Sequence, residues 1–541
     1  MKRNRRNDRK KFLLAAMLAA AGFAGAVEPD QTACPVSPWD QGQREIVGSP
    51  ALPIRYSTPF TREREMLGYR PRFLPGMLTF TPGNRPVMRI GVSDASKRGQ
   101  NKHTVAPRDA GSVNLIQFLG DDGRWHVTDG HVRAVARQLG LPEDAPLPVL
   151  FGERTPDAVE FDPAGGAYTL VLSNAAVNGK TILRRHLVYS PDGFRTFQAI
   201  PVPYNEARLE PWRPNADRKT PWLLARDGAS NYFVVPVIAE NGKVRLGDAV
   251  KVIDAAWKPL ANLAPMSGDG AMMISRGNKS FIVFMAQRGI PDDPGSPHYI
   301  VEYDHASGRV SEPRFLAVTG TRIDGHNVPV IDADSKGRLH VVCGAHWHSF
   351  MYLRSKAPIN IAAGFEAPQG IGAATDTRWS RDGLSYPAFA IDAADRMVLV
   401  ARGRTTTLQK IDRGGPYDTS HQDTYINYAL VCFFGTADGH WGARQDVVIP
   451  GYNPYSNWYQ KGTLDRKGNF YLLYYYYAAR LEHSPKVLAE YRKRWPEEAD
   501  PEKDPRAHDP VIAVCLKGRW RIALSPWFRH EMAERQAPKG K

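Results

Sequence analysis

The stretch GHNVPVIDADSKGRLHVVCGAHWHSFMYLRS (325–355) decides the fold class, because it spells one β-hairpin with a histidine at either end. His326 precedes an apolar strand, Asp332 to Gly337 supplies turn residues, a second apolar strand returns, and His346 follows it. Short polar side chains cap their own backbone and glycine accepts a left-handed conformation, so this gap reads as a turn. Both histidines then sit at a loop-rich end of a sheet, where binding groups gather on a rigid scaffold.

Working outward, the same pattern of apolar run, Asp-x-x-Gly or a relative, and second apolar run recurs as FAIDAADRMVLVAR (389–402) and GTLDRKGNFYLLYYYY (462–477). Related hairpins are YTLVLSNAAVNGKTILRRHLVYS (168–190), YFVVPVIAENGKVRLGDAV (232–250) and MMISRGNKSFIVFMAQR (272–288). Long amphipathic helical stretches are scarce. Short strands repeating at roughly 40–70 residues predict an all-β chain folded as one β-propeller, with about seven blades of four antiparallel strands. SPDGFRTF (190–197) resembles the Asp-box turn of sialidase-type propellers, a side-chain-capped turn with a structural role. The segment 484–509 reads as a charged surface insertion in a propeller domain over 27–541.

The first residues set the compartment. Seven Lys and Arg residues among the first eleven precede an apolar run from Phe12 to Ala21, and Ala24, Gly25 and Ala26 follow as a small-residue cleavage site. That is a secretory signal peptide over 1–26, too short in its apolar part to span a bilayer, so a secreted or periplasmic protein without membrane insertion is expected. The formal charge of +15 falls to about +9 without that segment. A basic exported protein favours acidic partners, and an acidic polysaccharide suits this compartment better than nucleic acid, for which no dense Lys/Arg run is present. Of the four cysteines, Cys343, Cys432 and Cys515 lie in strand-like runs and read as buried thiols, while Cys34 stands apart. A chain of this length needs no staples to bury a core.

Candidate site residues follow from hairpin ends. His326 with Asn327, and His346 twenty residues on, flank the first hairpin; Tyr386 and Arg402 flank the next one in the same way. GYNPYSNWYQKG (451–462) adds Tyr452, Tyr455, Trp458 and Tyr459, aromatics suited to stacking on sugar rings. Two sets could hold a metal, Cys343 with His346 and His348, and His421 with Asp423 and His440, although strand alternation sets Cys343 and His346 on opposite faces.

The His-Asn-x-Pro strand, the Gly-x-His ending its partner, the Tyr-Pro strand and the following arginine resemble the BNR-type β-propeller polysaccharide lyases, especially the ulvan lyases, over about residues 320–480; 84–125 resembles their opening blade. The resemblance implies β-elimination on a uronate polymer, with His326 and Tyr386 as the base and acid in either assignment and Arg402 neutralising the uronate carboxylate. His346, Asn327 and Tyr459 would bind substrate. It implies a structural calcium or zinc with unassigned ligands; no cofactor for catalysis and a monomer are expected. The chemistry suits these residue types, since an arginine can pair bidentately with a carboxylate and stabilise the charge that develops on it. Two alternatives stand beside it: a propeller glycoside hydrolase of rhamnosidase or sialidase type, with Asp324 as a candidate acid, and a non-catalytic carbohydrate-binding propeller.

Overall fold

The computed structural model describes residues 73–92, 113–121, 125–142, 149–150, 158–177, 180–259, 263, 271–286, 293–346, 348–371, 383–404, 428–448, 457–476, 510–516 and 519–524. The signal segment, Cys34, His421, Asp423, Tyr452, Tyr455 and the insertion at 484–509 lie outside them. No described helix is long and apolar enough to cross a membrane.

The chain is all-β and forms one β-propeller. Antiparallel sheets follow one another over 73–128, 149–202, 206–253, 273–319, 330–371, 385–448 and 457–524. The expectation of uniform four-stranded blades needs correction. The sheet over 149–202 has five strands because Val149–Leu150 and Glu160–Phe161 both pair with Ala167–Val177; the one over 330–371 has five because Asn360–Phe365 and Gln369–Ile371 both pair with Phe350–Ala357. A separate two-stranded hairpin, Val237–Glu240 with Lys243–Leu246, grows out of the third sheet, and the described helix Gly130–Gln138 packs on the second. Each gives the repeat extra chain that a regular period cannot reveal.

Apolar faces of successive sheets meet in buried clusters, for example Val330, Phe350 and Tyr352 against Phe389, Leu399 and Val431. The ring closes where the first sheet meets the last: Phe80 packs on Tyr471 at 4.8 Å between ring centres, and Arg466 donates to the Phe80 carbonyl at 2.8 Å.

The Asp-x-x-Gly motif proves to be a turn joining two successive antiparallel strands of a sheet. Asp162, Asp227, Asp334, Asp392 and Asp465 each accept, on Oδ1, the backbone N–H four residues on, at 2.8–2.9 Å. The third residue after each aspartate is left-handed: Gly165, Gly337 and Gly468 adopt it freely, while Ser230 and Asp395 take φ of 75° and 60° in the same place. SPDGFRTF behaves as its resemblance implied, with Asp192 accepting from the N–H groups of Arg195 and Thr196.

In the third sheet the first two strands are joined not by such a turn but by a plug. Between strands Glu206–Leu209 and Leu223–Arg226 the chain runs inward and touches four other sheets. Trp212 lies under the Arg466 guanidinium at 3.8 Å, Arg218 donates to Glu160 at 3.0 Å, Glu210 accepts from the Ser275 N–H, and Asn215 donates to the Ala333 carbonyl at 3.0 Å. Arg213 and Asp332, 1% and 0% exposed, form a fully buried ion pair at 3.2 Å. Asp332 also accepts the Ile391 N–H at 2.8 Å, so the pair ties the sheet carrying His326 to the one carrying Tyr386. The plug lies at the turn end of the inner strands, which leaves the opposite end for the histidines.

Candidate functional site

The strands Val330–Ala333 and Leu339–Cys343 pair as the first hairpin required, with Gly337 left-handed at φ 81° in its turn. His326 arrives on the loop from the preceding sheet and His346 leaves the second strand, so both reach the same end of the ring. In the next sheet Ser385–Ile391 pairs with Arg396–Arg404, and Ser385 stands opposite Arg402. The register slips between Ser385 and Ala388, and in that bulge Tyr386 takes φ 61°. A tyrosine with positive φ is strained, and such strain persists where surroundings over-determine it. Here the buried Gln460 amide, from the strand Asn457–Leu464, donates to the Tyr386 carbonyl at 3.0 Å.

The four side chains meet. Ring centres of His326 and His346 are 4.5 Å apart, those of His326 and Tyr386 5.7 Å, and those of His346 and Tyr386 6.1 Å. The Arg402 guanidinium carbon lies 4.6 Å from the Tyr386 ring centre. Between the histidines sits Asp324, whose Oδ1 is 2.5 Å from His326 Nδ1 and whose Oδ2 is 3.0 Å from His346 Nδ1. Arg322 reaches the same Oδ2 at 3.3 Å from the rim.

Burial raises the Asp324 carboxyl, but hydrogen bonds from both histidines, the His326 N–H and the His326 charge outweigh it and hold the group well below the usual carboxylate range. Burial pushes His346 down to about 4; its hydrogen bond to Asp324 pulls the other way, while the charges of His326 and Arg402 add to the fall. At neutral pH His346 is an uncharged imidazole beside a carboxylate.

Asn327 is 1% exposed and faces inward: its amide donates to Ser296 Oγ at 2.7 Å. Ser296 in turn donates to the Arg322 carbonyl and accepts the Asp324 N–H, which pins the loop 322–327. The His346 side is pinned similarly, with Thr319 donating to the Gly344 carbonyl at 2.6 Å. Residue 344 must be glycine, since a Cβ there would lie 2.3 Å from the Val328 carbonyl oxygen. Tyr459 lies in the strand Asn457–Leu464, and its side chain is outside the described residues. Ser296, Thr319 and Gln460 escaped sequence reading because each acts from another sheet; Asp324, two residues before His326, carried a local signal but was read only as an acid.

Among the described residues, the side-chain group with metal-ligand geometry is Asp324, His326 and His346. Cys343, His346 and His348 do not form such a group, and burial pushes the Cys343 thiol up, away from the thiolate a metal needs. The Asp324 group does not fit calcium. Calcium asks for a shell of oxygens, both Nδ1 atoms are already spent on Asp324, and Arg322 and Arg402 bring positive charge to the same place.

Residues 285–475 match a family model described as "BNR repeat-containing family member", a segment that holds His326, His346, Tyr386, Arg402 and Gln460. No curated protein matches the chain. Among solved structures it is similar to the BP39L lectin of Burkholderia pseudomallei, at 10% identity over 84% of this chain and 98% of the lectin, TM-score 0.43. It is similar to a PL25 ulvan lyase at 11% identity over 49% of this chain and 71% of that one, TM-score 0.24. A Penicillium chrysogenum α-L-arabinanase aligns at 11% identity over 58% of this chain and 87% of that one, TM-score 0.33.

Proposed function

We propose that this propeller is an exported polysaccharide lyase that cleaves a uronate-containing, ulvan-like polymer by β-elimination. The observation that carries the reading is the meeting of two imidazoles, a phenol and a guanidinium within one small site, beside a carboxylate that stays ionised. A uronate C5 proton is acidified only by its neighbouring carboxylate, so elimination needs a cation on that carboxylate, a base at C5 and an acid at O4. Arg402 would hold the carboxylate. His326 would take the C5 proton; the C5–H electron pair becomes the C4–C5 double bond, the C4–O4 bond breaks, and O4 takes the proton of Tyr386. Solvent then carries the proton from His326 back to the phenolate. General acid–base help of this kind contributes about 10²–10⁴-fold. His346 and Tyr459 would bind the sugar, and Asn327 supports the loop.

Hydrolysis would need a carboxylic acid able to give a proton at neutral pH, and Asp324 is held ionised by two histidines. The test is ultraviolet absorbance of the conjugated uronate while the mature protein meets a panel of uronate polymers led by ulvan. A rise on one polymer establishes elimination; new reducing ends without absorbance would move the assignment to a hydrolase, and neither signal with measurable binding would leave a lectin-like propeller. A monomer acting on an acidic glycan outside the cytoplasm completes the reading.

A further inference from the structure

We propose that Asp324 is a positioning residue that fixes the tautomer of both histidines at once, setting a proton on each Nδ1 and leaving each Nε2 as an acceptor. The geometry carries this. One carboxylate spans two imidazoles, Oδ1 to His326 and Oδ2 to His346, at 2.5 and 3.0 Å, and in both rings the atom engaged is Nδ1. An ionised carboxylate only accepts, so each Nδ1 must donate; a ring in its neutral form carries one N–H, so its Nε2 then keeps its lone pair. The arrangement is itself held, since the Asp324 N–H donates to Ser296 and the His326 N–H donates back to Asp324 Oδ1.

The two rings are not equivalent. His326 is 32% exposed and makes the shorter contact, whereas His346 is 13% exposed and lies nearer the Arg402 charge. On taking a proton at Nε2, His326 becomes an imidazolium directly against Asp324, which stabilises it. His346 stays neutral, with Nε2 as its acceptor atom. Among the described residues, the charged and titratable groups facing this trio are Arg322, Arg402 and Tyr386. The assignment of a base to His326 rests on the lyase reading; the tautomers do not.

The experiment is long-range proton–nitrogen NMR on protein labelled at its 15 histidines, with His326→Gln and His346→Gln supplying the assignments. At a pH high enough for both rings to be neutral, both are expected as the Nδ1–H form in the wild type. In Asp324→Asn an amide presents one acceptor and one donor, so at least one ring is expected to switch to Nε2–H. Asp324→Glu should keep both rings as in the wild type. A wild-type Nε2–H signal from either ring, or an unchanged pattern in Asp324→Asn, overturns the proposal; should the variants fail to fold, the wild-type spectrum still decides it. On whichever polymer is turned over, Asp324→Asn is expected to lower kcat about 10²–10⁴-fold with KM within a few-fold, and Asp324→Glu to recover part. Nδ1–H rings without elimination on any polymer would remove the lyase reading alone, and elimination with an Nε2–H ring would remove this proposal alone.

Discussion

Replacing Arg213 by methionine should destabilise the ring most at neutral pH and much less in mild acid. The guanidinium and Asp332 are buried together, and methionine keeps much of the side-chain volume while removing the charge. Breaking a buried ion pair by removing one partner costs about 3–5 kcal/mol, because the other charge is left without compensation. With a melting entropy of about 2.1 cal/mol/K per residue, the 541-residue chain loses roughly 1 kcal/mol per degree, so a fall in Tm of about 3–5 °C is expected at pH 7.

The acid dependence follows from Asp332. Burial raises its carboxyl to about 6, with Arg213 and the N–H groups of Ile391 and Ala333 pulling the other way. This lies above the ordinary value of about 3.9 in an unfolded chain, so between the two the folded state holds the proton and the unfolded state does not. The contribution of this group is therefore full below about pH 4 and is lost as pH rises through about 6. Without Arg213 the carboxyl rises further, and at pH 5 it is neutral in both proteins. The difference between variant and wild type, which cancels other titrating groups, should shrink to a degree or two. Thermal unfolding followed by circular dichroism at pH 7 and pH 5 measures it, and Arg213→Met combined with Asp332→Asn should recover most of the loss, since a neutral pair replaces the charged one. A Tm within 1 °C of wild type at pH 7, or an equal loss at both pH values, would refute the reasoning.

Two further outcomes concern the open face. Tyr386→Phe and Arg402→Ala should each lower kcat on the polymer that is cleaved by at least about 10²-fold, with far-ultraviolet dichroism unchanged; near-normal turnover in both would remove these residues from the chemistry. Gln460→Leu leaves the Tyr386 carbonyl without its buried donor, a loss of about 1–3 kcal/mol. Because that bond holds a strained residue, turnover should fall by a larger factor than the stability change alone explains, which paired melting and rate measurements would show.

Strand alternation and turn chemistry made much of this legible. The hairpin 325–355 could be read because its apolar runs and Asp-x-x-Gly turn are local, and the same logic brought Tyr386 and Arg402 to the corresponding place one sheet on. Extra strands beside Glu160 and Gln369 were hidden, since two- and three-residue pairings carry no period of their own. The plug was hidden too: nothing in PWRPNADRK (211–219) says that Arg213 will meet Asp332, 119 positions away. Gln460 and Ser296 reach the site only because the ring closes and neighbouring sheets pack.

Asp324 marks the limit of local reading most clearly. Two residues before His326, it could as well have been a proton donor for hydrolysis as a carboxylate for an imidazole. Its protonation depends on His346, which comes from the other strand of the hairpin, and on the Ser296 contact that turns its backbone into the site. Burial alone would raise the carboxyl and favour a donor; two imidazoles and a backbone N–H reverse the sign. Which chemistry the site can perform is therefore decided by a contact between loops that the sequence lists 22 positions apart and only the closed sheet brings to 3.0 Å.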